Sequence, residues 1–423
     1  MKKMHHVYGS RYADADDAAA FYWPSFYSIE MKGGVRCDEL VSKLRASVNG
    51  FAGAGLSEQE VQAWFYFCHE YVHFLQDLRC ANLRRDAVCR LRVALGRQDE
   101  LIDGEDVNPV DTGIKLEATD CKRTSDDAWT VEFKNYESCT FTKVALAECI
   151  AMVLEDELRV AREGRRNVAY LPYDMPYLVA ELILGDSFPD LKATVLDVCE
   201  AALQTECPVS TFVNYLKSVA GSRSSGPVSY DMVLKWCREN DYRRCEEFDD
   251  GVFSGLVAEL LGREKMKVLS QWLSEKVDKI AEVTDKNRFG LFRMIYERSI
   301  CSGKPLADQI AQLVKNCAYP LIADQSNAYC HEKDGNEVGF WLGLATAYEL
   351  VANSDVEIPC GMLPFCRQAN NPILNRDFAT APKVSAFCTF NPRFVQQDGN
   401  VDCPFVYVWK KRLDQNGAGV VAK

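Results

Sequence analysis

The stretch from Ser57 to Arg79 decides how this chain folds, and it reads SEQEVQAWFYFCHEYVHFLQDLR. Ser57 and Glu60 match a capping box, in which each side chain satisfies a backbone N–H group of the other residue at a helix start. This pattern predicts a long helix that starts at about residue 58. Because bulky apolar residues surround a few polar ones, the polar side chains of this helix need partners.

Two of the chain's five histidines, His69 and His73, lie four residues apart in this helix. Helical geometry places residues i and i+4 on one face, so both imidazole rings can reach a single metal ion. Glu70 stands beside them, where a carboxylate can act as a base. The pattern predicts a zinc site. The alternative is a pair of core or half-exposed histidines satisfied by backbone and carboxylate groups.

The stretch His69-Glu70-x-x-His73 resembles the signature of the zincin metallopeptidases. The resemblance covers one helix and implies that the two histidines bind zinc while Glu70 activates the attacking water. The metzincin branch has a glycine and a third histidine where this chain has Gln76 and Arg79, so that branch is excluded. What remains is a thermolysin-like set of two histidines and a glutamate from a later helix.

Glu148 is the candidate for this third ligand. It is the only charged residue from Val144 to Leu154, in a stretch that reads as an apolar helix. A lone buried carboxylate is too costly to leave unpaired, and a zinc ion would compensate its charge. The alternatives are a salt bridge to an arginine and an exposed position.

Other residues are weaker candidates for the third ligand. Glu155 and Glu157 lie in the acidic half of the Glu148 helix, which we expect to be solvated. Glu132 falls in a predicted strand, and His331 falls in a polar loop.

Two further side chains are predicted to lie around the metal. In the thermolysin-like pattern an acidic residue one turn after the third ligand orients a histidine, but that position here is Met152. Asp77, one turn after His73, is therefore predicted to accept the hydrogen bond from a histidine. Tyr173 follows the Glu148 helix and is predicted to stabilise the oxyanion of a tetrahedral intermediate. A core or surface position is the alternative for this tyrosine.

Composition limits the partners and the compartment. The chain has 423 residues, of which 48% are apolar and 26% charged, as in ordinary globular proteins. A net charge of -12 argues against nucleic acid, because phosphate binding draws on a basic surface. No apolar run reaches the roughly 18 residues of a membrane span, and none follows Lys2 and Lys3 as in a secretory signal. We therefore expect no membrane partner and a cytoplasmic location, where the 18 cysteines stay reduced.

The stretches outside the two ligand-bearing helices predict strands and turns. Aromatic residues in the first 35 positions predict extended structure that docks on a core. The segment from Gln98 to Asp127 is polar and rich in turn residues. Trp129 to Lys134 alternates apolar and polar residues as a strand does, and Thr140 to Thr142 is predicted to form a second short strand.

The predicted fold class is α+β and predominantly helical. Residues 1–165 are predicted to form a zincin-like core, with a small sheet packed on two helices. Residues 166–353 carry successive amphipathic helices, which we expect to break at Gly185 and Pro208 among other positions. Residues 354–423 mix strands and loops.

The sequence predicts an intracellular zinc metallopeptidase that hydrolyses peptide bonds of a selected protein target. His69, His73 and Glu148 would hold zinc, and Glu70 would act as general base. The partner would be a protein or peptide substrate, whose identity and cleavage site the sequence does not specify. The alternative is a non-catalytic helical binding or adaptor protein with a structural or vestigial metal site.

Overall fold

Nine helices and nine strands lie within the part of the chain that the computed structural model describes. The described residues are 20–23, 28–31, 40, 43, 55–85, 110–112, 114–124, 128–163, 170–171, 173–185, 188–222, 228–245, 263–284, 288–302, 306–316, 321–324, 328–329 and 366.

Helix α1 (Glu58–Arg79) begins where the capping box predicts. The Ser57 hydroxyl accepts a hydrogen bond from the Glu60 N–H at 3.3 Å, and the Glu60 carboxylate accepts one from the Ser57 N–H at 2.8 Å. After the first turn, almost every residue from Val61 to Leu78 is buried. Helix α1 therefore runs through the core and has no wide exposed face.

Helix α2 (Lys143–Glu163) packs along α1, and the two form the most extensive helix pair among the described elements. The Gln76 side chain of α1 donates a hydrogen bond to the carbonyl oxygen of Ala147 at 2.7 Å. A carbonyl oxygen has two lone pairs, so this one can accept from Gln76 as well as from its own helix. The contact fixes the relative position of the two helices directly beside Glu148.

A four-stranded sheet lies against α1. Its strands, in spatial order, are β1 (Ala20–Trp23), β2 (Ser28–Met31), β8 (Leu321–Asp324) and β9 (Ala328–Tyr329). Strands β2 and β8 are parallel, and the other neighbours are antiparallel. Strands β1 and β2 contact α1, and Ile29 and Met31 are buried. The extended structure predicted near the start of the chain is thereby confirmed.

A second sheet contains three antiparallel strands. They are β4 (Ala118–Arg123), β5 (Trp129–Phe133) and β6 (Tyr136–Phe141). Strand β5 is confirmed, and β6 is longer than the predicted strand. Strand β4 lies in a segment that the sequence predicts to be turns. Its buried residues are Ala118 and Cys121, three positions apart, because a bulge between Ala118 and Asp120 breaks the alternation on which strand prediction depends.

The three-stranded sheet packs on helices that come later in the chain. The Trp129 indole donates a hydrogen bond to the Ser210 hydroxyl at 3.0 Å, and the Phe141 and Phe212 rings lie 5.7 Å apart. Ser210 and Phe212 belong to α5 (Pro208–Gly221). The four-stranded sheet is thus the one that contacts α1, whereas the predicted small sheet contacts α5.

The region after α2 contains successive helices, as predicted. Besides α5 they are α3 (Met175–Leu184), α4 (Leu191–Ala202), α6 (Tyr230–Glu239), α7 (Arg263–Thr284), α8 (Leu291–Ser302) and α9 (Leu306–Asn316). Gly185 ends α3 with φ 87°, in the region that favours glycine, and Pro208 starts α5. Helix α4 is central, since it contacts α2, α3, α5, α6 and α8.

Helix α4 carries two buried carboxylates that bind the N-terminus of α8. Asp197 accepts a hydrogen bond from the Gly290 N–H at 2.8 Å, and Glu200 accepts one from the Phe292 N–H at 3.1 Å. A helix leaves its first N–H groups without partners inside the helix, and negative charge is favourable at that end. The two carboxylates therefore act as a cap supplied by a neighbouring helix.

Two arginines balance the charge of these carboxylates. Arg293 lies 2.9 Å from Asp197, and Arg79, the last residue of α1, lies 3.0 Å from Glu200. A Cβ atom added to Gly290 would overlap the Glu200 carboxyl group, with the Cδ atom at 2.8 Å. The network thus ties the end of α1 to α4 and α8 and leaves no space for a Cβ atom at position 290 unless the Glu200 carboxyl group moves.

One hydrophobic cluster runs through the described residues from Ile29 to Val314. The described helices and sheets make the protein α+β and mostly helical, as predicted. The division at residues 165 and 353 stays a prediction, and residues 354–423 lie outside the described part of the chain except for Cys366. Among the described residues, no helix is long and apolar enough to cross a membrane.

Candidate metal centre

His69 and His73 lie on consecutive turns of α1 with their rings edge to face. Their Nε2 atoms are 3.2 Å apart, and their ring centroids are 4.9 Å apart. Both side chains are buried, because α1 itself is enclosed by other elements. The two predicted histidine ligands therefore present their Nε2 atoms to one point.

Glu148 of α2 completes a group of three. Its Oε2 atom lies 3.4 Å from Nε2 of His69 and 3.3 Å from Nε2 of His73. The residue is 2% exposed, and this oxygen has no hydrogen-bond partner of good geometry. Within the described part of the chain, these are the residues whose ligand atoms lie close enough together to share a metal ion. The structure brings all three predicted ligands together.

The spacing of the three donor atoms fits a tetrahedral ion. The distances between them are 3.2, 3.3 and 3.4 Å. A tetrahedral ion with bonds of about 2.0 to 2.1 Å keeps its donor atoms about 3.3 Å apart. An octahedral ion with bonds of the same length keeps neighbouring donors about 2.9 Å apart. The triangle therefore resembles one face of a tetrahedral site more closely than one face of an octahedral site.

The Nδ1 atoms of both histidines have partners outside this triangle. Nδ1 of His69 lies 2.8 Å from Oε2 of Glu155, and Nδ1 of His73 lies 2.8 Å from Oε1 of Gln76. The acceptors that face Nδ1 are thus Glu155 and Gln76, and the role predicted for the buried Asp77 stays a prediction. Gln76 is three residues after His73 and has the longer side chain, so it reaches the ring from the same helix face.

Glu155 is buried, whereas the sequence predicts a solvated position. It is 6% exposed, and its second oxygen lies 2.7 Å from Nε of Arg159. Burial alone would raise the pKa of Glu155, but His69 and Arg159 together lower it to about 2. The carboxylate is therefore ionised at neutral pH. Its position, seven residues after Glu148, is two helical turns away on the same face of α2.

Gln76 and Glu155 determine which ring nitrogen carries the proton in the neutral histidines. The Gln76 amide donates from its nitrogen to Ala147, so its oxygen faces His73 and accepts. An ionised Glu155 also accepts only. Each neutral imidazole therefore carries its proton on Nδ1 and presents the Nε2 lone pair to the triangle. In that state two nitrogen lone pairs and a carboxylate oxygen face one another, which is favourable when a proton or a metal ion lies between them.

The surrounding charges also favour a cation in the triangle. Burial alone would raise the pKa of Glu148, but His73 and His69 lower it to about 2, so this carboxylate is ionised. Burial opposes protonation of His69, yet Glu148 and Glu155 raise the pKa of this histidine above its usual value. A proton and a metal ion compete for the same lone pairs. Acid should therefore weaken metal binding at this group.

Glu70 lies next to His69 on α1 and is 2% exposed. Burial raises the pKa of this carboxyl group to about 7, against the opposing effect of His69 and His73. A general base works best when its pKa is near the operating pH. Glu70 thus has the acidity that a proton-transfer role at neutral pH requires.

Tyr173 lies between the short strand β7 (Tyr170–Leu171), which pairs with β3 (Val110–Asp111), and helix α3. Its ring is buried, with the centroid 6.3 Å from that of His69. The tyrosine predicted to assist the reaction therefore lies beside one of the two predicted histidine ligands.

The weaker candidates for the third ligand lie elsewhere. Glu132 faces solvent on β5, 3.1 Å from Lys122. Glu157 on α2 pairs with Lys192 of α4 at 2.6 Å. His331 lies outside the described residues.

No protein-family model matches the chain, and no curated protein or solved structure does either. The geometry and chemistry of the site itself must therefore carry any functional assignment.

Proposed function

We propose that the protein is a zinc metallopeptidase of the thermolysin-like zincin type, with zinc held by His69, His73 and Glu148. The observation that carries this proposal is the triangle of three buried donor atoms, 3.2 to 3.4 Å apart, with Nδ1 of each histidine facing an acceptor outside the triangle. The donor set of two imidazoles and one carboxylate is a usual one for catalytic zinc. A zincin-like core is part of the same proposal and is supported by the side-by-side packing of α1 and α2.

Three ligands suit a catalytic site better than a structural one. Structural zinc sites are closed by four protein ligands, whereas catalytic sites keep a position open for water or substrate. The triangle contains three potential ligands among the described residues. When bound there, zinc would supply Lewis acidity and lower the pKa of coordinated water to about 7.

Glu70 is the proposed general base. It takes a proton from the attacking water and delivers it to the leaving amine of the peptide. Its burial supports this role, because a carboxyl group with a pKa of about 7 can both accept and return a proton at neutral pH. Tyr173 is proposed to donate its hydroxyl proton in a hydrogen bond to the oxyanion, and its ring position beside His69 supports this.

The substrate is proposed to be a peptide bond in a selected protein target. One observation favours a second candidate, a non-catalytic binding protein with a structural metal site. Glu70 and the three proposed ligands are each no more than 4% exposed, and burial of this degree is typical of a closed site.

Metal content and base substitution together test these alternatives. Protein purified without chelator should contain about one zinc per chain by mass spectrometry, because the triangle can hold one ion. Glu70→Gln should keep the zinc and the fold, since Glu70 is not a ligand, but its amide cannot accept a proton. Cleavage of a proteome-derived peptide library should then fall by a factor of about 100 to 10,000.

His69→Ala should lose both zinc and cleavage, which separates a ligand from a base. Glu157→Gln is the matched control, because Glu157 lies on α2 and pairs with Lys192 instead of the histidines. Stoichiometric zinc with no peptide cleaved by the wild type would favour the structural candidate. A wild type without any transition metal would rule out both.

A further inference from the structure

The two histidines of the triangle have different partners at Nδ1. The partner of His73 is the neutral amide of Gln76, whereas the partner of His69 is the charged carboxylate of Glu155. A carboxylate partner draws the Nδ1 proton toward itself and makes the opposite nitrogen a stronger metal ligand. The two histidines are therefore unequal donors.

Glu155 is itself held on both sides. Its Oε2 atom faces His69 at 2.8 Å, and its Oε1 atom faces Nε of Arg159 at 2.7 Å. Arg159 in turn donates from Nη1 to Oε1 of Gln62 at 3.2 Å. The guanidinium group also lies over the Phe65 ring, 5.3 Å from its centroid. Arg159 of α2 is thus fixed against residues of α1 that lie one and two turns before His69.

Arg159 also determines which oxygen of Glu155 faces the histidine. Its Nε atom donates to Oε1 at 2.7 Å, so Oε2 is the oxygen that faces Nδ1 of His69. A guanidinium group only donates, so Glu155 accepts from Arg159 on one side and lies against His69 on the other. Arg159 thereby holds the carboxylate in the orientation in which it contacts His69.

We propose that Glu155, held by Arg159, is a positioning residue that fixes the orientation and proton position of His69 and thereby sets the metal affinity. The inference rests on the proposed function, since it requires a metal at Nε2 of His69. It assigns roles to Glu155 and Arg159 that the sequence pattern of the motif does not contain, because both lie on α2, after the third ligand.

The test measures zinc affinity by competition with a chromophoric chelator, starting from metal-free protein. Glu155→Gln keeps the size of the side chain and removes its charge, and it should weaken zinc binding by about 10-fold to 100-fold. Arg159→Met keeps an apolar stem against Phe65 and should weaken binding in the same direction by about 10-fold. Glu157→Gln, two residues along α2, is the matched control and should keep the wild-type affinity.

A second measurement does not depend on metal. The chain has five histidines, so the imidazole region of a long-range ¹H–¹⁵N spectrum is sparse enough to assign by substitution. His69 should be the Nδ1–H tautomer in zinc-free wild type at alkaline pH, and a mixture of tautomers in Glu155→Gln. A contribution of Glu155 to packing alone would lower the melting temperature without changing this signal.

The combined results distinguish a failure of the positioning role from a failure of the proposed function. Wild-type zinc affinity in both Glu155→Gln and Arg159→Met, with the tautomer unchanged, would overturn the positioning role and leave the proposed function standing. Failure of the wild type to bind zinc would overturn the proposed function and this inference with it. If Glu155→Gln does not fold, Arg159→Met provides the same comparison.

Discussion

Replacing Glu148 by glutamine tests the triangle most directly. The substitution keeps the shape of the side chain but removes the charge that faces the two Nε2 atoms at 3.3 and 3.4 Å. Structural zinc sites bind with about 10 to 16 kcal/mol, which is about 2.5 to 4 kcal/mol for each of their four ligands if they share it equally. An amide oxygen remains a weak ligand, so we expect a loss near the lower value, about 2.7 kcal/mol, or about 100-fold in zinc affinity.

The loss should appear in thermal stability as well as in affinity. A ligand that binds the folded state stabilises it by RT ln(1 + [L]/Kd), so a 100-fold weaker affinity removes up to about 2.7 kcal/mol at fixed zinc. For a chain of this size each kcal/mol shifts the melting temperature by about 1 °C, so zinc should raise the melting temperature of Glu148→Gln by about 3 °C less than that of wild type.

The assay compares melting curves of zinc-loaded and chelator-treated protein for the wild type, Glu148→Gln and Glu157→Gln. Glu157 lies on the same helix and pairs with Lys192, so its variant should respond to zinc as the wild type does. An equal response to zinc in all three proteins, together with equal affinity, would show that Glu148 is not a ligand. The assignment of the triangle as a metal site would then be wrong.

Two further predictions concern the fold. Gly290→Ala should lower the free energy of unfolding, measured in urea, by about 1 to 3 kcal/mol, because the new methyl group displaces the buried Glu200 carboxylate from its partners. An unchanged midpoint of urea unfolding would contradict the tight packing at this glycine. The capping glutamate Glu60 has its pKa lowered to about 2, first by the hydrogen bond from Lys43 and then by the Ser57 N–H. The stabilising contribution of the ionised Glu60 is therefore present above pH 4.5 and lost as the pH falls toward 2. The unfolding free energies of wild type and Glu60→Gln should differ by less than about 1 kcal/mol at pH 7 and become equal in acid. A difference that grows in acid would refute this prediction.

Helix α1, which carries the motif, and the proposed third ligand Glu148 on α2 could both be predicted, because their sequence signals are local. The capping box is a pattern of two residues, and the i, i+4 spacing of His69 and His73 places both on one face. Glu148 stood out because it is the only charge in an apolar helical stretch. In each case the physical cost of burying a polar group identifies a residue without knowledge of the tertiary structure.

The partners of the histidines could not be chosen from the sequence, because the choice depends on how α1 and α2 pack. Asp77 and Gln76 both follow His73 by about one turn, and the contact of Gln76 with the ring depends on its hydrogen bond to Ala147 of α2. Glu155 lies among acidic residues that resemble a solvated surface. Its spacing of seven residues from Glu148 was a usable signal, since two helical turns return a side chain to the same face.

The enclosure of α1 has a consequence for how the protein opens. Amide hydrogens exchange with solvent only when their hydrogen bonds break, and those of enclosed helices exchange through the largest and rarest openings. Nearly every residue from Val61 to Leu78 is buried, so deuterium should enter this segment and the equally buried α4 later than the other described helices. The slow exchange of one continuous peptide would then report the global unfolding of the chain without knowledge of any substrate.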